Sequence, residues 1–494
     1  MDKKNTILVV VFSLFSSLLI SQNSWYVSEN GNNSTGDGSI SAPWATITKA
    51  MGENVVVDND TINIIGTITQ DGDAEYGIQV LKDLIFKGVT KETSIIEASD
   101  AMTSADRRVL TIWDVAQVKL INLTIRNGYF DAYSYQPGAG ILNWGQLSIE
   151  NCVISDNYTD NEYRGGGIYN QFGTLSIENT YINNNYSYNG GGGLAIEGGA
   201  VSIVNSSFAL NFTQNDLAGG GAIYIENTSN VSIINSTIYY NMLGLNSYGA
   251  GIYATATEGD INIEIINTTI ANNEAGAGSY GTGIFLNNET SYNVNMTLKN
   301  TIIANGNTDN YGHNGSGAIN ILRSYTLCKD ASLPDGSINS NSNNTDPLID
   351  TFMDHGGLTP TCSISSNSPA RDAGTIDNAP TTDQRGYPRC GSVDIGSFEY
   401  QSSTDITSIT ENNNIAVYPN PTSNFINIAI NSSSKRVASL YLINSIGNKV
   451  KDINTTSNIN KLKINVSDMP NGLYYLQVDF EDNSSETLKI IINN

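Results

Sequence analysis

Tyr169, Tyr224 and Tyr253 each follow an isoleucine at one point of a recurring motif, and Phe285 stands in the same place one copy later. In an extended strand successive side chains alternate, so inward Ile168, Ile223, Ile252 and Ile284 put these aromatic rings on the outer side. Flat rings with a polar tip suit stacking against sugar rings, which makes Tyr169, Tyr224, Tyr253 and Phe285 the candidate ligand-binding set. The competing reading is a ladder of rings that stiffens the sheet through cross-strand pairing. Groups for acid–base chemistry are sparser. Between residues 138 and 300 the basic residues are Arg164 and Lys299, with Arg107, Arg108 and Arg126 on earlier copies and Asp131, Asp156 and Asp160 as possible neighbours. Proton abstraction beside a carboxylate-held calcium ion would cast Arg126 or Arg164 as the base. The acidic residues do not assemble into a calcium cluster by spacing, so no catalytic residue is assigned.

The motif that must position these side chains is itself legible. Copies read Leu147/Ile149/Asn151/Ile154/Asn157, Leu175/Ile177/Asn179/Ile182/Asn185, Val201/Ile203/Asn205/Phe208/Asn211, Val231/Ile233/Asn235/Ile238/Asn241 and Ile263/Ile265/Asn267/Ile270/Asn273, with looser copies at Leu120/Asn122 and Leu298/Asn300. The first asparagines stand 29, 28, 26, 30, 32 and 33 residues apart, a variable period that suits a solenoid whose loops absorb insertions. Apolar and polar residues alternate within each copy, which predicts strands. A five-residue strand cannot bury its apolar face alone, but rungs stacked about 4.8 Å apart form one continuous core and pair the backbone along the axis. The expected architecture is therefore a parallel β-helix. Its asparagines are expected to form inward ladders of amide hydrogen bonds at the turns, although Asn205 and Asn235 also begin Asn-x-Ser/Thr sequons. Glycines open each copy, at 138–140, 165–167, 191–193, 219–221, 249–251 and 281–283, where a corner needs positive φ or close backbone approach.

The ends and the charge balance narrow the setting. Lys3 and Lys4 precede an apolar run over residues 7–20, which reads as a signal peptide over residues 1–21. A net charge of −24 repels phosphates and excludes nucleic acid as a natural partner. It also disfavours polyanionic glycans unless a cation bridges. Four cysteines, Cys152, Cys328, Cys362 and Cys390, are too few for a disulfide scaffold, though Cys362 could pair with Cys328 or Cys390. His313 and His355 are the only histidines, which rules out a multi-histidine metal site.

Three stretches carry family resemblances. Tyr26-Val27-Ser28-Glu29-Asn30-Gly31, with Gly36-Asp37-Gly38 and residues 43–50 (PWATITKA), resembles the opening cap of right-handed β-helix proteins of the pectate-lyase-like superfamily. The glycine-rich and asparagine-rich copies also look like those of polymorphic surface proteins. Residues 346–400, with Gly356-Gly357-Leu358-Thr359-Pro360-Thr361, Asp383-Gln384-Arg385-Gly386-Tyr387-Pro388-Arg389 and Val393-Asp394-Ile395-Gly396-Ser397-Phe398-Glu399-Tyr400, resemble the choice-of-anchor Q region of secreted β-helix proteins. Its arginines and carboxylates are expected to order an irregular cap over the open end of the solenoid. Finally, Val417-Tyr418-Pro419-Asn420-Pro421-Thr422, Pro470-Asn471-Gly472-Leu473-Tyr474 and Leu488-Lys489-Ile490 resemble the type IX secretion sorting domain of Bacteroidetes-type bacteria. That resemblance implies a small β-sandwich recognised by the type IX machinery through residues 414–494, and a location outside the cell or on the outer-membrane surface.

The expected fold is all-β: a right-handed parallel β-helix solenoid over residues 22–310 with an N-terminal cap, last coils and choice-of-anchor Q cap over 311–400, a linker over 401–413 and a small β-sandwich over 414–494. The expected function is a secreted or cell-surface scaffold for adhesion or contact with extracellular polysaccharide. The resemblance to the pectate-lyase-like superfamily implies the alternative of a calcium-dependent polysaccharide lyase using Arg126 or Arg164. A purely structural spacer is the third reading. Polygalacturonase-type hydrolysis is set aside, because Asn307-Thr308-Asp309 and His313 lack the Asp-Asp pair and the Arg-x-Lys that such a site requires.

Overall fold

A computed structural model describes residues 22–401 apart from 73–74, 103–106, 131–136, 161, 335–341 and 390. Beyond these it describes residues 415–418, 422, 425–430, 437–444, 448–453, 461–467, 469–481 and 485–492. The signal peptide, the linker after residue 401, Asp131 and Cys390 lie outside the described residues. The chain divides into two units at Tyr400/Gln401.

The first unit is a parallel β-solenoid of about nine turns. One coil shows the plan: strands Ile168–Gln171, Thr174–Glu178, Tyr181–Asn183 and Tyr186–Ser187 follow one another around the axis. Each pairs in parallel with its counterpart in the next coil, so the aligned motif positions become columns. Leu147 sits on Leu175, then Val201, Val231, Ile263 and Met296. Ile154 likewise stacks on Ile182, Phe208, Ile238, Ile270 and Ile303. These columns are buried and belong to one core that runs from Val27 to Leu333. Each fully buried Leu or Ile contributes about 1.5–3 kcal/mol, a contribution that exists only where a neighbouring rung covers it. The N-terminal rung is closed by the short helix Ile47–Gly52, capped by Thr46 Oγ1, with Ile47 and Ala50 in the core. Trp25 and Trp44 stack beside it at 5.6 Å.

The two asparagines of each motif do different jobs. The second forms the interior ladder. Asn157, Asn185, Asn211, Asn241 and Asn273 are buried, and each Nδ2 donates to the next Oδ1 at 2.9–3.0 Å. Asn185 Nδ2 also reaches the carbonyls of Ile154 and Asn183, while Asn211 Oδ1 accepts from the Asn185 backbone, so the amide is saturated. The first asparagine bends the chain: Asn151, Asn179, Asn205, Asn235, Asn267 and Asn300 take φ between 46° and 52°. Asparagine tolerates this left-handed region better than other residues with a side chain. A hydroxyl column runs beside it, where the backbone N–H of Thr180 donates to Ser206 Oγ and that of Ser206 to Ser236 Oγ, both at 3.1 Å.

Residues 358–400 differ from the cap expected over the open end. They run back along the flank of the coils as a strap. Ser207 donates to the Pro360 carbonyl, Thr237 meets Thr361 at 2.8 Å, and Ser397 Oγ meets Thr269 Oγ1 at 3.1 Å. Ile364, Ala370, Ile395 and Phe398 pack there against Ile302, Ala304 and Leu327. The physical reason lies in the bend: the coils expose a column of amides and hydroxyls along this edge, and the strap satisfies them.

The second unit holds two antiparallel sheets. One is formed by Ile415–Tyr418, Phe425–Ile430 and Lys461–Asn465, the other by Lys449–Asp452, Val437–Asn444, Gly472–Phe480 and Ser485–Ile492. Ile426 and Ile428 from the first sheet share a core with Leu442, Leu476 and Ile490 from the second, a small β-sandwich.

Candidate functional site

The aromatic set stands in one column. Tyr169 pairs with Ala195, Ala195 with Tyr224, Tyr224 with Tyr253 and Tyr253 with Phe285. Ring centroids are 5.3 Å apart for Tyr224–Tyr253 and 6.1 Å for Tyr253–Phe285. The side chains leave the main core, as alternation requires, yet they are only 4–9% exposed. The glycine runs explain the cover. A Cβ placed on Gly219 would lie 2.3 Å from Tyr253 Cγ, and one on Gly190 2.8 Å from Tyr224 Cδ2. Loops without side chains therefore close over the rings, and Tyr248 adds a lid at 4.6 Å from the Phe285 ring. The faces that a sugar would need are occupied by neighbouring rings and by glycine backbone.

Arg164 belongs to the same covered layer. Its guanidinium lies 4.4 Å over the Tyr224 ring and pairs with Glu226, which also accepts from Tyr224 Oη at 2.7 Å. Burial opposes its charge, but Tyr224, Glu226 and Tyr169 together hold its pKa above the ordinary value. Arg126 ends the strand Thr124–Arg126, on the coil before that of Arg164, with Nε and Nη2 both 2.8 Å from Glu97 Oε2. Each arginine is thus engaged by a carboxylate, and at Arg164 this stabilises the proton that a base must lose. The structure does not bring Arg126 and Arg164 together. Arg108 is fully buried and donates to the carbonyls of Gly138 and Glu75 at 2.6 Å, and burial pushes its pKa down to about 9. Among the described residues no group of three or more His, Cys, Asp or Glu side chains converges as a metal site.

A cleft that the sequence did not announce lies elsewhere on the flank. A groove of about 560 Å³ opens between the bend residues Asn122 and Asn151 and the start of the strap, with Lys91 on its floor. Volumes of about 300–1,000 Å³ are usual for small-ligand sites. Lys91 Nζ donates to Asn151 Oδ1 at 3.1 Å and to the Leu358 carbonyl at 2.7 Å, a partner 267 residues away. Burial pulls the Lys91 pKa below its usual value, and Glu92 and Asp354 act in the opposite direction. Behind it Cys152 is a free thiol, pushed up to about 12 by burial and so inert as a nucleophile. Val153, Tyr181 and Leu358 supply apolar wall. Lys91 and Asp354 sit in unremarkable stretches of sequence, and only the returning strap makes them neighbours.

The buried charges of the strap form a closed network. Asp383 accepts from Arg385 Nε at 2.8 Å and from the Glu399 backbone at 3.0 Å, while Arg389 bridges Glu399 and Asn235 at 3.0 and 2.9 Å. With every partner internal, these groups hold the strap in place and offer nothing to solvent.

Comparison with known families matches residues 416–493 to the secretion system C-terminal sorting domain. No curated protein matches the chain.

Proposed function

We propose that this chain, a β-helix protein bearing a type IX secretion sorting domain, serves outside the cell as an adhesion scaffold that contacts extracellular polysaccharide along its solenoid. The sorting domain implies export to the surface or the medium through the type IX machinery. The observation that carries the contact reading is the open groove beside Lys91, which sets donors and acceptors in a mainly apolar wall. The paired states of Arg126 and Arg164 support binding over cleavage.

The test is a glycan array probed with the chain from residue 22 onward. Retention on one or more polysaccharides is the expected result, and a blank array overturns the contact reading in favour of a spacer. A parallel assay follows unsaturated products by ultraviolet absorbance with calcium present. A signal abolished by chelator would replace the scaffold with the lyase.

A further inference from the structure

Seven bend asparagines form one edge of the solenoid, from Asn122 through Asn151, Asn179, Asn205, Asn235 and Asn267 to Asn300. At the far end the chain covers this edge with its own oxygens. Asn235 Nδ2 donates to the Thr382 carbonyl at 2.7 Å, Asn300 Nδ2 to the Thr375 carbonyl at 2.8 Å, and Asn267 Nδ2 reaches the Asp394 carbonyl at 3.4 Å. At Asn205, the last bend asparagine that the strap touches, the direction reverses and Thr359 Oγ1 donates to the backbone carbonyl at 3.0 Å. Beyond it the edge is open. Asn151 Nδ2 turns to Asn122 Oδ1 at 2.8 Å, and among the described residues Asn122 Nδ2 has no acceptor. The groove therefore continues a track that elsewhere binds oxygen acceptors.

We infer that the open end of this asparagine track, with Lys91, Glu92 and Asp354, binds a neutral, hydroxyl-rich saccharide segment. This rests on the polysaccharide reading above and assigns it a place and a ligand class. Asn122 and Lys91 are donors, Asp354 and Glu92 are acceptors, and a hydroxyl is the common group that satisfies both kinds. Val153, Tyr181 and Leu358 offer apolar surface to the C–H face of a pyranose. Charge selects against acidic sugars: two carboxylates face one ammonium in the groove, and the whole chain carries −24. An extended peptide would match the carbonyl pattern of the strap but leaves the two carboxylates with fewer donors.

Calorimetric titration of the full exported chain tests this with cellotetraose, xylotetraose, mannotetraose and maltotetraose, alongside trigalacturonate and a synthetic peptide of residues 375–394. Lys91→Met keeps the aliphatic stem, Asn122→Gly keeps the positive φ, and Asp354→Asn removes one acceptor charge. The expected result is binding of at least one neutral tetrasaccharide, weakened tenfold or more by Lys91→Met and by Asn122→Gly, with the β-sheet circular dichroism of the folded chain retained at the titration temperature. Neutral binding that all three variants leave intact overturns the groove and keeps the polysaccharide reading. Preference for trigalacturonate or for the peptide overturns the ligand class. No saccharide binding here together with a blank array removes both readings.

Discussion

The coils and the strap are ordered by opposite means. Along the coils stability is spread over columns of like residues, such as Ile149, Ile177, Ile203 and Ile233, each fully buried between two aliphatic neighbours. The strap has no repeat. Beyond its bonds to the coils, its own course is fixed by single pairs of opposite charge, Arg385 with Asp383 and Arg389 with Glu399, whose side chains are at most 7% exposed. A column tolerates variation at one rung, as Phe208 among the isoleucines shows, whereas a buried ion pair loses its balance when either member is removed.

The comparison is broken most severely at Asp383. Asp383→Ala leaves Arg385 without its carboxylate, and removing one partner of a buried pair costs about 3–5 kcal/mol. Hydrogen exchange is expected to rise across residues 358–400 while the coil strands stay protected. In the coils, Ile177→Ala is expected to cost about 2–5 kcal/mol through the cavity it leaves, read by chemical denaturation, with exchange rising on the flanking rungs only. Asn211→Ala interrupts the amide ladder and strands its neighbours' polar atoms, about 1–3 kcal/mol. A smaller effect has the opposite sign. Leu210 holds φ 59° with its side chain 42% exposed, so Leu210→Asn is expected to stabilise by about 1 kcal/mol.

The strap alone is expected to respond to pH near neutrality. Burial first, and then the Asp394 carboxylate, push the Glu399 pKa up to about 7, against the pull of Arg389. Burial likewise raises Asp394, with the Asp372 charge adding to it and the Asp372 and Tyr400 backbone N–H groups and Arg389 opposing. A carboxyl raised in the folded state contributes stability in full below its ordinary value near 4.5, and loses it as pH rises through about 7. With the intrinsic rate divided out, protection of residues 383–400 is therefore expected to be greater at pH 5 than at pH 8, and Glu399→Gln is expected to flatten that difference. A coil amide such as that of Ile177 is expected to show no such dependence beyond the intrinsic exchange rate.

What could be read in advance follows from the same contrast. The columns were legible because one motif, written many times, fixes strand, face and register together. The sorting domain was legible through motifs in fixed order, and its two sheets follow from alternating strands such as Gly472–Phe480. The division of labour between Asn179 and Asn185 was not, since backbone angle and inward direction are not encoded by residue type alone. The cover over Tyr224 and Tyr253 was written in the glycines, but as an absence of side chains whose meaning appears only when the loops fold across the rings. Lys91, Asp354 and the course of the strap depend on contacts spanning hundreds of residues, which no local pattern records.

The route of the strap also decides how the solenoid carries load. Tyr400 lies against Asp394 on the flank, beside the rung of Asn267 rather than at the terminal coil. A pull through the chain beyond that residue does not peel the terminal rung. It is met first by the contacts of Asp394, Gly396 and Ser397 with the rungs of Asn267 and Asn300.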